Sequence, residues 1–235
     1  MAQSHLTALE AFLKDHPEIK CTLPSSPEYA KDREIFLLSR KANPLAIAHP
    51  QSAEHVKALV NFVRSNGIKF TVRAGGHNLQ GLSIEEGALT IDMRAFTSVK
   101  VAADRNTATV GAGILQDELG RILWKEGLAT PAGAIPSVGY LGWAMYGGYG
   151  PFSSNWGLGV DQIVAATVLD ASGAVVEADK TLLKSIRGAG GAFGIILDVT
   201  IKVYPLKTVG LSIPRCFDEK SQWLTIIAFY WSDYI

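Results

Sequence analysis

The chain has 235 residues, 48% hydrophobic and 19% charged, enough to bury a sizeable core. Lys plus Arg equal Asp plus Glu at 22 each, so charge offers no argument for nucleic acid or an anionic membrane surface as partner. The two cysteines, Cys21 and Cys216, have neither metal-ligand spacing nor a disulfide framework, so no metal site is expected. Leu6, Leu9 and Leu13 recur at helical spacing among charges, which predicts a short amphipathic helix in place of a signal peptide. No run has the length of a membrane span, and a cytoplasmic protein is expected.

After this lead-in, residues 1–43, Pro44 to His49 is strand-like. Ser52 opens a helix with Val56, Leu59, Val60 and Val63 on one face, and Gly67 stops it. Strands at Lys69 to Arg73 and Leu89 to Met93 complete a strand–helix–strand order, the mark of an α+β or α/β unit. Thr107 to Gly111 predicts another strand, and Ile114, Leu115, Leu119, Ile122 and Leu123 a helix closed by Gly127. Between Pro131 and Gly159 eight glycines interrupt an apolar stretch, so backbone there packs closely against something. A buried strand follows at Gln162 to Leu169, then a turn at Asp170 to Gly173 and a return strand at Ala174 to Glu177. Asp179 caps a short helix through Ile186, and alternating Ile195, Leu197, Val199, Ile201 and Val203 form a long strand ending at Pro205.

The most informative text is Arg73-Ala-Gly-Gly-His-Asn-Leu79 with Gly81, placed directly after an apolar strand. Adjacent glycines let successive N–H groups converge on one concavity, a site for phosphate oxygens, and His77 follows at once. This combination points to a pyrophosphate cofactor beside a nucleophilic imidazole. Two further glycine-bearing segments run from Gly133 to Gly150 and from Arg187 to Gly194. None fits a dinucleotide Rossmann fingerprint or a P-loop.

The order and wording of the three segments resemble the FAD-binding domain of the vanillyl-alcohol oxidase / p-cresol methylhydroxylase (PCMH) superfamily, nearest to its berberine-bridge-enzyme-like members. The resemblance implies an α+β fold: a PCMH-type FAD-binding domain at 44–207, of two α/β subdomains (about 44–103 and 104–207). Most of the substrate domain is absent, and residues 208–235 form a remnant or aberrant segment. It further implies that Arg73, Ala74, Gly75, Gly76, His77, Asn78 and Gly81 surround the FAD pyrophosphate, with His77 bonded covalently to the flavin C8 methyl. The family's second tether is a cysteine, and Ile135 stands in its place here, so a single attachment is expected. Val138 falls where the family controls oxygen access, and valine there is similar to the oxidases.

By the same resemblance the amides of Ser137, Val138 and Gly139 are donors to the cofactor. Gly142, Gly147, Gly148 and Gly150 belong to a loop beneath the isoalloxazine, and Ile195 and Val199 to the edge holding adenine and ribose. Ile195 and Val199 read equally well as core strand positions. Tyr140, Trp143, Tyr146, Tyr149 and Trp156 either line a residual pocket or are core, and the catalytic base stays unknown. The implied function is an FAD-linked oxidoreductase of secondary metabolism, passing hydride from a small organic molecule to flavin N5 with O2 as acceptor. The alternatives are a truncated flavin-binding module acting with a partner chain, and a non-redox cyclase. The apolar run Ser221 to Trp231 is expected to meet a partner chain or drive self-association.

Overall fold

The leucines of the lead-in form one face of helix α1 (Ala2–Asp15), and Leu9 is fully buried. The computed structural model describes residues 2–206 and, beyond them, the backbone of four three-residue strands. After α1 the lead-in supplies a strand, β1 (Lys20–Thr22), and one helical turn, α2 (Tyr29–Asp32), neither visible as a sequence pattern. Strand β2 (Ala46–His49) leads to helix α3 (Ala53–Ser65), which the Ser52 side chain caps by accepting from the His55 amide. The face of α3 bearing Val56, Leu59, Val60 and Val63 is buried as its spacing predicts. Burying each such side chain contributes about 1.5–3 kcal/mol relative to exposure.

Strands β3 (Phe70–Arg73) and β4 (Leu89–Asp92) complete a sheet of order β1-β2-β4-β3. Within it β4 runs parallel to both β2 and β3, while β1 is antiparallel to β2. The parallel core is possible because α3 carries the chain back over the sheet.

The second sheet is antiparallel throughout and begins with β5 (Val99–Val101) and β6 (Thr107–Gly111). Helix α4 (Gln116–Lys125) and the two-residue β7 (Leu128–Ala129) follow. The glycine-rich stretch then holds three short helices, α5 (Tyr140–Ala144), α6 (Ser153–Trp156) and α7 (Gly159–Gln162). Strands β8 (Ile163–Leu169) and β9 (Val175–Glu177) form the expected hairpin, and Asp179 caps α8 (Lys180–Ala189) through the Leu182 amide. Strand β10 (Ile195–Lys202) lies between β6 and β8 in the order β5-β6-β10-β8-β9, and β11 (Tyr204–Pro205) pairs with β7.

One apolar core joins the two sheets, running from Leu9, Leu89 and Ile91 on the first side to Val110, Ile163 and Val199 on the second. The mixed α+β architecture expected from the sequence is therefore present, with its two halves packed on shared residues. Further on, β12 (Gly210–Ser212) pairs with β15 (Ala228–Tyr230), and β13 (Arg215–Phe217) with β14 (Trp223–Thr225). The side chains of the apolar run 221–231, and with them its expected partner contacts, lie outside the described residues. No described helix is long and apolar enough to cross a membrane.

Candidate cofactor site

The turn leaving β3 is held at its stem by Arg73. This side chain is buried, and its Nε donates to Asp92 Oδ2 at 2.9 Å while Nη2 also meets that carboxylate. Nη1 donates to the Asp32 carbonyl at 2.5 Å and Nη2 to Asp32 Oδ1 at 3.1 Å. The guanidinium is thus engaged by two carboxylates and stiffens the strand end, rather than offering an unpaired cation to a phosphate. Asp32 has its carboxyl pushed up by burial, but hydrogen bonding from Thr22 and the charges of His49 and Arg73 outweigh this and hold it below the usual range. Thr22, His49 and Asp32 have the residue types of a hydrolytic relay. Both oxygens, however, meet the same His49 Nε2, at 3.1 and 3.0 Å, so the ring cannot pass a proton from one to the other.

Beyond Arg73 the backbone turns at Gly76, whose φ is +69°, a conformation favouring glycine. A Cβ on Gly75 would collide with the Gly139 nitrogen and approach the Ser137 carbonyl oxygen to 2.6 Å, so the first and second glycine segments touch backbone to backbone. His77 crosses the same seam, with Nε2 2.9 Å from Ser137 Oγ and its ring stacked on Phe36 at 4.3 Å and 21°. Partial burial lowers the pKa of this imidazole, which favours its neutral form. Asn78 accepts at Oδ1 from the Gln80 and Leu82 amides, and Gly81, with φ +72°, donates to the Asn78 carbonyl. Both shape the exit of the turn.

The second segment is latched onto the start of α4: the Gln116 amide donates to the Val138 carbonyl, the Asp117 amide to Pro136 and the Tyr140 amide to Ile114. Val138 donates its own N–H to Ile135 at 3.2 Å, so this amide closes a local turn and is already engaged. Ile135 is 54% exposed on the rim that carries Ser137.

The later glycines serve a side chain of this chain. Cβ atoms at Gly133, Gly148 and Gly159 would each press on the Trp143 indole, whose Nε1 donates to the Tyr149 carbonyl, while one at Gly150 would strike the Ala132 carbonyl. Of the two glycines expected beneath a flavin ring, Gly148 makes room for an indole and Gly150 for the Ala132 backbone. Gly142 and Gly147 face open space. Of the remaining aromatics, Tyr140 is fully buried and Trp156 stacks on Tyr204 at 4.5 Å, whereas Tyr146 and Tyr149 are exposed.

The third segment meets the second where the Gly188 amide donates to the Met145 carbonyl and Gly190 abuts Tyr146. The second segment therefore touches both the first and the third. Ile195 and Val199 lie in β10 with their side chains in the core, so any contact with a ligand would come from their backbone.

The arrangement suits a pyrophosphate-bearing group. The amides of Gly75, Gly76 and His77 donate to no group among the described residues, and neither does the buried Nε2 of Gln116 beside Gly133. A cavity of about 500 Å³ opens beside Gly75 and Gly76, walled also by Ala74, Asp32, Asp92 and Arg94.

The FAD binding domain family matches residues 44–179, and the chain belongs to that family. It is 40% identical over 195 residues to the FAD-linked oxidoreductase aurO of Gibberella zeae, covering 82% of this chain and 38% of that one. With (R)-6-hydroxynicotine oxidase of Paenarthrobacter nicotinovorans the identity is 34%, covering 69% of this chain and 36% of that one. The solved structure of BBE-like 1 from Physcomitrella patens superposes with a TM-score of 0.80 at 28% identity, over 89% of this chain and 45% of the other. The fold is that of the PCMH-type, berberine-bridge-enzyme-like FAD-binding domain. The chain spans less than half the length of these relatives.

Proposed function

We propose that this chain holds FAD and takes part in oxidising a small organic molecule, with O2 as the final acceptor. The observation that carries this reading is the seam at His77, where a glycine turn with unengaged amides, the His77 imidazole and Ser137 converge. The amides of Gly75, Gly76 and His77 would bind the pyrophosphate, and His77 would be the covalent tether. In that role the imidazole nitrogen of His77 would be the nucleophile toward the flavin ring. Ile135 has no thiol, so the attachment is single. When bound, FAD supplies the two-electron acceptor for hydride from the substrate and returns those electrons to O2 as hydrogen peroxide. Val138, half-buried beside Ser137, suits oxygen access. A cytoplasmic setting and a role in secondary metabolism belong to the same reading.

A second reading is a flavin-binding module that needs a partner chain for turnover. An absorbance spectrum taken before and after acid precipitation, with His77→Ala in parallel, tests the tether. Yellow colour is expected in the wild-type pellet and in the His77→Ala supernatant; colour in both supernatants overturns the covalent link. Hydrogen peroxide release on adding candidate substrates separates the two readings, since the module alone stays oxidised.

A further inference from the structure

The family match begins at residue 44, yet the cofactor turn is backed by residues that precede it. Asp32 grips Arg73 through both its carbonyl and its carboxylate. Four residues on, the Phe36 amide donates to the Gly76 carbonyl at 3.1 Å, and a Cβ on Gly76 would lie 3.5 Å from the Ile35 side chain. Ile35 is buried in a small separate cluster with Ala42 and Ile84, which fixes the segment from below. The chain alternates here, Ile35 turned inward and Phe36 left 59% exposed. An apolar ring so exposed has little reason of its own to stay ordered, and its ring contact is the stack on His77. With Ser137 at Nε2, the imidazole is held on one face and one edge, which restricts its rotation about the Cβ–Cγ bond.

We propose that Asp32–Phe36 is a wall of the cofactor site, and that Phe36 is a positioning residue fixing the plane in which His77 meets the cofactor. This rests on the reading of His77 as facing the flavin. The test uses the full chain loaded with FAD, as wild type, Phe36→Leu (apolar volume without a ring) and Phe36→Tyr (ring kept). Three quantities are measured: flavin bound to native protein, the rate at which colour becomes acid-resistant, and the NMR shifts of the His77 ring protons.

For Phe36→Leu, bound flavin is expected to stay within about twofold of wild type while the attachment rate drops about fivefold, the scale set by one stacked pair. Phe36→Tyr is expected to match wild type. The His77 ring protons are expected upfield in wild type and Phe36→Tyr and displaced downfield in Phe36→Leu. Equal attachment rates in wild type and Phe36→Leu overturn the proposal, as does a parallel loss of bound and attached flavin. If wild type itself attaches no flavin, the covalent reading fails and the NMR decides alone. An upfield shift lost in Phe36→Leu then supports the positioning role, and an unchanged shift overturns it.

Discussion

At Gly75 an added Cβ would strike backbone, the Gly139 nitrogen and the Ser137 carbonyl; at Gly159 it would strike a side chain, the Trp143 ring, with Cη2 at 2.9 Å. The two glycines stand in stretches of similar composition, but the contacts differ in kind. Around Gly75 two peptide segments approach and leave amides without partners among the described residues, so a ligand can use them. Around Gly148 and Gly159 the space is filled by an indole from the same chain. Glycine density alone does not mark a binding wall; what matters is whether the atoms brought close are protein or leave donors open.

The difference can be tested by removing what anchors each region. Asp92→Ala is expected to have the largest effect, costing about 3–5 kcal/mol in chemical denaturation, because the buried Arg73 at the stem of the turn loses its main partner. Gly75→Ala follows, at about 1–3 kcal/mol from overpacking together with loss of bound flavin, since backbone on both sides cannot yield. Gly159→Ala is expected to cost a similar or smaller amount, within about 1–3 kcal/mol, but adding Trp143→Leu should recover much of it by removing the struck ring. No side-chain change should rescue Gly75→Ala. If Gly75→Ala and Gly159→Ala respond alike to Trp143→Leu, the distinction fails.

The smallest expected effect lies at the latch of the second segment. Glu118 accepts from Arg94 Nη2 at 2.8 Å and from the Leu115 amide at 2.9 Å, and the Arg94 bond is the main reason its carboxyl sits below the ordinary range. A depressed folded value means the stabilisation is fully present above the unfolded pKa and is lost as pH falls through the folded one. Because both side chains are about one-third exposed, solvent screening limits this to about 1 kcal/mol or less. Glu118→Gln should flatten the acid limb of a stability-versus-pH curve by that amount and leave neutral stability slightly lower. An unchanged acid limb would remove the latch from the account.

What the sequence made legible was local. The Ser52 and Asp179 caps, the buried face of α3 and the alternation of β10 follow from neighbours within a few residues, and the structure carries all of them. The Gly-Gly-His turn was legible for the same reason. The work of Arg73 was not, because Asp32 is 41 residues away and Asp92 is 19, and no spacing announces such partners. Phe36 was invisible because it lies in a four-residue apolar run, Ile35 to Leu38, too short to carry a periodic signal. Strand β1 is three residues long and forms only because β2 supplies an edge. The cage around Trp143 depends on glycines from positions 133 to 159 folding onto one ring, which composition registers only as crowding.

The place of β10 bears on how the molecule is made. It is the central strand of its sheet, with β6 on one side and β8 on the other, yet it is the last of the five to be synthesised. On a ribosome, β4 emerges early and can zip the first sheet shut as soon as residue 92 is free. Strands β5, β6, β8 and β9 must wait as two separate pairs, each with an unsatisfied inner edge, until Ile195–Lys202 slots between them. During that interval the nascent chain carries two sticky margins, and a stalled or clipped product ending before residue 195 would keep them open to neighbours.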